Sequence, residues 1–356
     1  MAALLSPLYR LYDLLQGLRG TNSTFLTEQH VPGTDLTGKW IIISGSNNGV
    51  GFEAAKSFAA WGANLILACR EPPAWELHPT AALKECKDIA EAHGHSSTIE
   101  WWEIDMADLN SIEIFCRRWL ETDRALDILC NNAGLASSAH NDLTMTTDGF
   151  QLVHQVNFLS HVLLTLRLLP SLARSSQPRI ICSTSCLHHL GYFDLEHFNG
   201  GPEMSGNPYA NNKLYFQIWV AELQSRLLKH PEYLHITING LHPGFVASGI
   251  WKNLESILGS GPRSVLDFLL HYVAINSQQG SLAITHAATS PEFGPDPKKQ
   301  GVGAENGRGG GLYINRIWEA SQQWHCNDPD SRSKLWVKLD EELHLEEKGL
   351  LDILGR

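Results

Sequence analysis

The stretch KWIIISGSNNGVGFEAAKSFAAWG, residues 39–62, narrows the choice of fold more than any other part of the chain. A short, continuous apolar run ends in glycine and passes directly into helical spacing that stops at Gly62. A run of that length without polar alternation suits a strand buried on both faces. The unit then recurs. NLILACR reads as a second strand, STIEWWEIDMAD contains a third, and LDILCNNAG, PRIICSTS and LHITINGLHPG follow as the fourth, fifth and sixth. Such repetition predicts an α/β fold with a doubly wound parallel sheet and helices on both faces, a three-layer αβα sandwich. No internal repeat or dividing linker is visible, so residues 39–356 are expected to form one domain behind an N-terminal extension, residues 1–38. Within that domain, an apolar segment around 250–275 is placed where a substrate lid could sit. The Gly- and Pro-rich stretch 290–311 reads as a flexible loop.

The bulk composition agrees with this architecture. Apolar residues make up 43% and charged residues 18% of the 356 positions, which suits a sizeable core. The formal net charge is −11, with no long block of Lys or Arg, which argues against a nucleic-acid partner. Seven cysteines (Cys69, Cys86, Cys116, Cys130, Cys182, Cys186 and Cys326) are scattered without a CxxC pair. Free, mostly buried thiols in a reducing, intracellular compartment are the expectation. The histidines, His188-His189 included, lack metal-ligand spacing, and no metal site is expected.

No apolar run approaches the ~20 residues that span a bilayer. Near the N-terminus Leu4, Leu8, Leu11, Leu15 and Leu18 recur at helical spacing, with Tyr12 beside them. Arg10 and Asp13 interrupt the segment, which does not suit a signal peptide. Two readings stand. The helix packs on the domain surface, or it lies on a membrane or lipid surface with Arg10 and Arg19 on its polar side. The expected location is accordingly cytoplasmic, or peripheral to a membrane or lipid surface through residues 1–20.

The glycine turn carries the first chemical information. SGSNNGVGF holds Gly45, Gly49 and Gly51 where the first strand becomes the first helix. Glycines there let the chain turn tightly and let a pyrophosphate approach the backbone, with the helix N-terminus supplying N–H donors. The spacing is GxxxGxG rather than GxGxxG, and at this point the chain resembles the short-chain dehydrogenase/reductase family, whose turn reads TGxxxGxG. Ser44 stands in place of the threonine and keeps a hydroxyl. The resemblance implies a Rossmann-type domain that binds its dinucleotide through Gly45, Asn48, Gly49, Val50 and Gly51. It further implies adenine contact at Asp105-Met106, and close backbone approach along NNAG through Asn132, Ala133 and Gly134. Pro243, Gly244, Val246 and Ser248 correspond to its nicotinamide-contacting segment. The second strand ends in Cys69-Arg70 without the carboxylate that NAD-preferring members place there, so Arg70 points to NADP(H).

Family resemblance also gathers four residues in chain order: Asn157, Ser185, Tyr209 and Lys213. Among the eight tyrosines only Tyr209 has a lysine four residues later, and at that spacing the two share a helix face. Composition alone could produce such a pair, and Ser183 is a rival to Ser185. In the family arrangement Tyr209 is the acid–base group. Lys213 favours its phenolate by charge and holds the nicotinamide ribose. Ser185 holds the substrate oxygen, and Asn157 binds a water linking Lys213 to solvent.

The retinol-dehydrogenase-like branch resembles this chain most, through CLHHLG after the serine, the long insert before Tyr209, and GLYINR ahead of SKLWVKLDEEL. That branch implies an NADP(H)-dependent oxidoreductase acting on a small hydrophobic ketone or aldehyde and its alcohol. The other function class is a non-catalytic NADP(H)-binding sensor or partner subunit. Oligomeric state stays open, a homodimer included.

Overall fold

In the computed structural model, residues 24–74, 76–135, 144–246, 274–294 and 310–351, with Tyr12 and Leu15, are described. The order of elements follows the strand–helix alternation. β1 (Trp40–Ser44), α1 (Gly49–Ala60), β2 (Asn64–Cys69), α2 (Pro79–Ala92), β3 (Ile99–Glu103), α3 (Leu109–Leu120) and β4 (Ile128–Asn131) form the first half. The second half comprises α4 (Leu152–Leu172), β5 (Arg179–Ser183), α5 (Pro208–Leu227), β6 (Thr237–His242), α6 (Ser277–Thr289), β7 (Tyr313–Asn315), β8 (Trp318–Ala320) and α7 (Pro329–Leu343).

Strand order is β3-β2-β1-β4-β5-β6-β7-β8, parallel throughout except for β8. The antiparallel β7–β8 hairpin is absent from the sequence expectation, because two three-residue strands are too short to show a periodicity. β1 pairs with β2 on one side and β4 on the other, so chain order reverses between β1 and β4. In open α/β sheets the crevice at that reversal, beyond the carboxyl ends of the strands, is where ligands bind.

Period-2 geometry sends successive side chains to opposite faces. Ile42, Ile66, Leu129, Ile180 and Ile238 enter one core cluster with residues of α3, α4 and α5. Ile41, Ile43, Leu65, Leu67, Ile181, Leu241 and Ile314 enter the other with residues of α1, α2 and α6. β1, β2, β4, β5 and β6 are therefore apolar on both sides, which is why the sequence shows continuous apolar runs. Residues 210–221 of α5 are buried on every side, so this helix carries no amphipathic stripe. α4 is long and apolar enough to cross a membrane by length and composition alone, a match the sequence reading missed. It is 89% buried inside the protein and serves as a core helix.

The extension does not stand clear of the domain. Leu26 and Val31 are buried against Leu282 of α6, and Gln279 donates to the carbonyls of Thr24 and Leu26.

Candidate active site

Two loops at the reversal of strand order are stitched together by one hydroxyl. Ser44 Oγ accepts from the backbone N–H groups of Asn132 (3.0 Å) and Ala133 (3.1 Å) and donates to Cys130 O (3.3 Å). Asn132 Nδ2 returns bonds to the carbonyls of Ser44 and Gly45 at 3.0 and 3.1 Å. This explains what the serine standing in for threonine does: its hydroxyl ties the glycine turn to NNAG. Gly45 (φ +66°) has left-handed backbone, and a Cβ there would lie 2.9 Å from Ala133 Cα. At Gly51 a Cβ would come within 2.4 Å of Asn132 Nδ2.

Gly49 (φ +60°) opens α1 with no atom within 4 Å of a hypothetical Cβ, no acidic residue in the first turn and no side-chain cap from Asn48. A start of this kind, uncapped and free of acidic residues, fits a dinucleotide pyrophosphate. Val50 and Val246 meet beside Gly280, where a Cβ would be 3.0 Å from one and 2.7 Å from the other. Gly280 thus brings the glycine turn and the exit of β6 together.

Past β2 and β3 lie the residues expected to meet an adenosine. Asp105 accepts from Ala107 N (2.8 Å), and Met106 O accepts from Ser160 Oγ (2.6 Å). Arg70 is 48% exposed and its Nη2 lies 3.1 Å from Glu76 Oε1. The sequence reading counted no carboxylate at the strand end, yet the loop after β2 brings one back onto Arg70. Asn47 Nδ2 donates to Leu77 O (2.8 Å), which fastens this loop to the glycine turn.

Asn207 begins α5 by accepting from Ala210 N, and Pro208 fills the first helical position. Tyr209 and Lys213 follow one turn apart. The Ser185 side chain lies beside the Tyr209 hydroxyl, near enough to act on its phenol. Lys213 Nζ lies 5.5 Å from the Tyr209 ring centroid and donates to Ser183 O at 2.7 Å. Of the two rival serines, Ser183 turns its hydroxyl to Asn132 Oδ1 (3.3 Å), while Ser185 faces Tyr209 and accepts from Leu187 N (3.2 Å). Thr184 points away from the site, toward Gln217 and Leu241 O.

Burial sets the electrostatics here. It pushes the Tyr209 phenol above its ordinary value, with Cys186 adding to the shift and the Ser185 side chain opposing it. It also pulls the Lys213 ammonium down to about 8.

Asn157 sits in a π-helical stretch, Gln155–Leu159, within α4. Its side chain accepts from Leu135 N (2.7 Å) and donates to Leu135 O (2.8 Å), and Gly134 leaves room for it. That amide is therefore engaged by the backbone and is not directed at Lys213. One turn on, His161 Nε2 donates to Ala133 O (2.8 Å) and its ring stacks on Phe216. Burial pulls His161 down to about 3, so it stays neutral. Sequence reasoning passed over His161, although its i+4 spacing from Asn157 was legible.

Gly244 (φ +98°) follows Pro243 at the end of β6, and Val246 pairs with Ile275. Ser248 lies outside the described residues, as do residues 250–273 of the expected lid, 295–309 of the expected loop, and residues 1–20 apart from Tyr12 and Leu15.

A family model for short chain dehydrogenase matches residues 39–258. The chain belongs to the short-chain dehydrogenase family. Relatives of this short-chain dehydrogenase include retinol dehydrogenase 14 of Mus musculus, 33% identical over 235 residues, 64% of this chain and 67% of that protein. Retinol dehydrogenase 13 of Homo sapiens is 29% identical over 306 residues, 85% of this chain and 84% of that one. L-sorbose reductase from Gluconobacter frateurii shares the fold, with a TM-score of 0.55 and 17% identity, covering 79% of this chain and 95% of that one. This dehydrogenase is therefore an oxidoreductase of the retinol-dehydrogenase-like branch, in a family that uses nicotinamide cofactors.

His188 supports the serine of this dehydrogenase from behind. Its Nδ1 donates to Ser185 O (2.7 Å) and its Nε2 accepts from Gln323 N (3.2 Å). His188→Leu removes the side-chain bond to Ser185 O, which keeps the His188 backbone N–H (3.1 Å), and leaves the buried Gln323 N–H unpaired, so a loss of about 1–3 kcal/mol in stability and a fall in kcat are expected. His188→Asn keeps a donor near Nδ1 and restores most of kcat. Thermal melts and steady-state rates on both variants check this.

Proposed function

We propose that the protein is an NADP(H)-dependent oxidoreductase that interconverts a hydrophobic ketone or aldehyde with its alcohol by hydride transfer. Tyr209 is its acid–base residue. The observation that carries the reading is the meeting of three side chains, with Ser185 beside the Tyr209 hydroxyl and the Lys213 nitrogen 5.5 Å from the Tyr209 ring centroid. The apolar alcohol class takes support from the retinol dehydrogenases among the relatives.

The bound nicotinamide supplies or accepts the hydride. In reduction, Ser185 Oγ donates to the carbonyl oxygen and holds it against Tyr209. Tyr209 Oη releases its proton to that oxygen as the carbonyl carbon gains the hydride, leaving a phenolate. The Lys213 ammonium stabilises this phenolate, and proton return from solvent restores the phenol. In oxidation the same groups run in reverse, with the phenolate taking the alcohol proton. Gly45, Gly49 and Gly51 let the backbone reach the pyrophosphate, while Ser44 and Asn132 keep the two loops in register.

The choice of NADP(H) rests on Arg70, which must exchange Glu76 for a 2′-phosphate. Removing Arg70 (Arg70→Ala) is expected to weaken NADPH binding about 5–10-fold and to leave NADH binding nearly unaltered, a modest effect because the pair is exposed. Glu76→Gln frees the guanidinium and tightens NADPH. Titrations of both cofactors against both variants test the assignment, and parallel losses for NADPH and NADH would remove it.

The general reading is tested by following NADPH absorbance against hydrophobic ketones, aldehydes and alcohols. Binding of NADPH without turnover across such a panel would replace the enzyme with a sensor.

A further inference from the structure

The hairpin at the edge of the sheet contains an arginine in an unusual setting. Arg316 begins the two-residue turn between β7 and β8 with φ +62°, the left-handed region where glycine or asparagine is the ordinary choice. Its side chain is nevertheless fully buried. Nη1 donates to Pro243 O, while Nε and Nη2 have no hydrogen-bond partner among the described residues. No ion pair to Arg316 occurs among the described residues, and burial alone draws its guanidinium down to about 10. Beside it His242, at the end of β6, is buried with both ring nitrogens unpartnered among the described residues. Arg316, His189 and Lys213 all lie within electrostatic reach of His242.

Strain, burial and a missing counter-charge coincide at one residue. A protein retains such a combination where the surroundings hold it for a purpose. The geometry of the free atoms is specific. Nε and Nη2 form the side edge of the guanidinium, whose parallel N–H bonds match the two oxygens of a carboxylate. Nη1 is tied to Pro243 O, which fixes the direction of that edge. Gly244 packs directly against this side chain, and only a glycine permits that approach, since a Cβ there would sit 3.2 Å from Nε and 3.0 Å from Cδ. The whole group stands at the carboxyl ends of β6 and β7, on the Lys213 side of the site.

We infer that Arg316, with His242 beside it, is an oxyanion subsite that takes a carboxylate carried by the carbonyl or alcohol substrate. The inference rests on the catalytic reading of Tyr209 and Lys213 and narrows its substrate class to apolar compounds with an acidic end. A phosphate of the dinucleotide has the same chemistry, and the test separates the two.

The test uses the full chain, wild type and Arg316→Met, with Arg316→Gln as the second variant in case the first fails to fold. Two ketones are compared, a keto acid and its methyl ester. The ratio of kcat/KM for acid over ester is expected to fall about 10–100-fold in the variants, the range of a lost charge-assisted pair. Benzoate should raise the melting temperature of the NADPH-bound wild type and fail to raise that of the variants. An unchanged acid-to-ester ratio, or a loss of NADPH affinity in place of it, overturns the assignment. The benzoate shift does not depend on turnover. A wild type that reduces neither ketone therefore counts against the catalytic reading, while the presence or absence of an Arg316-dependent benzoate shift still decides the subsite.

Discussion

Replacing Tyr209 with phenylalanine should lower kcat for carbonyl reduction about 10²–10⁴-fold while NADPH binding and the melting temperature stay close to wild type. The size follows from the chemistry. Hydride transfer without a proton leaves an alkoxide, and Tyr209 is the hydroxyl that lies beside Ser185. Burial holds the phenol above its ordinary value, so at neutral pH it is protonated and serves the reductive direction without prior ionisation. The ring itself is retained in Tyr209→Phe, so packing changes little. Steady-state rates and cofactor titration on the purified variant separate lost chemistry from lost binding.

Lys213 carries the second large effect. Lys213→Met should reduce kcat/KM at neutral pH by about 10²-fold or more, because the phenolate then loses the Lys213 charge beside it. Its pH profile gives a sharper signature. Burial draws the ammonium down from its ordinary 10.5 to about 8. Below that pH Lys213 is charged, and above it the charge is lost, so wild-type kcat/KM for reduction should decline through about 8. Stability moves in the opposite direction. Between about 8 and 10.5 the unfolded chain binds the proton that the folded chain has released, so this lysine favours folding more as pH rises. A fall in rate above 8 with an intact melting temperature is therefore a titration and not an unfolding. A rate flat through that range would remove the ammonium from the mechanism.

Much of the fold was readable because its strands are covered on both faces. IIIS of β1 and LILA of β2 feed the cores above and below the sheet, and continuous apolar runs are the direct imprint of that. The glycine turn was readable for a steric reason, since Gly45 and Gly49 both adopt left-handed backbone. Other parts leave no such imprint. β7 and β8 are three residues each, and Arg316 occupies a turn position where glycine or asparagine would have announced the hairpin. Asn157 was found by its place in chain order, but that order says nothing of the π-helical stretch that turns its amide to Leu135. The Arg70–Glu76 pair depends on a loop folding back, which spacing along the chain does not encode. His161 and His188 read as isolated histidines until packing brings them against Ala133 and Ser185.

The central claim, that this chain transfers hydride with Tyr209 moving the proton, meets its most direct test in NADPH consumption by the wild-type protein against hydrophobic ketones and aldehydes, with Tyr209→Phe run beside it. Carbonyl-dependent loss of NADPH absorbance is expected in the wild type, with its near-disappearance in the variant at saturating cofactor. NADPH bound but never consumed, or a Tyr209→Phe protein turning over at close to the wild-type rate, would contradict it.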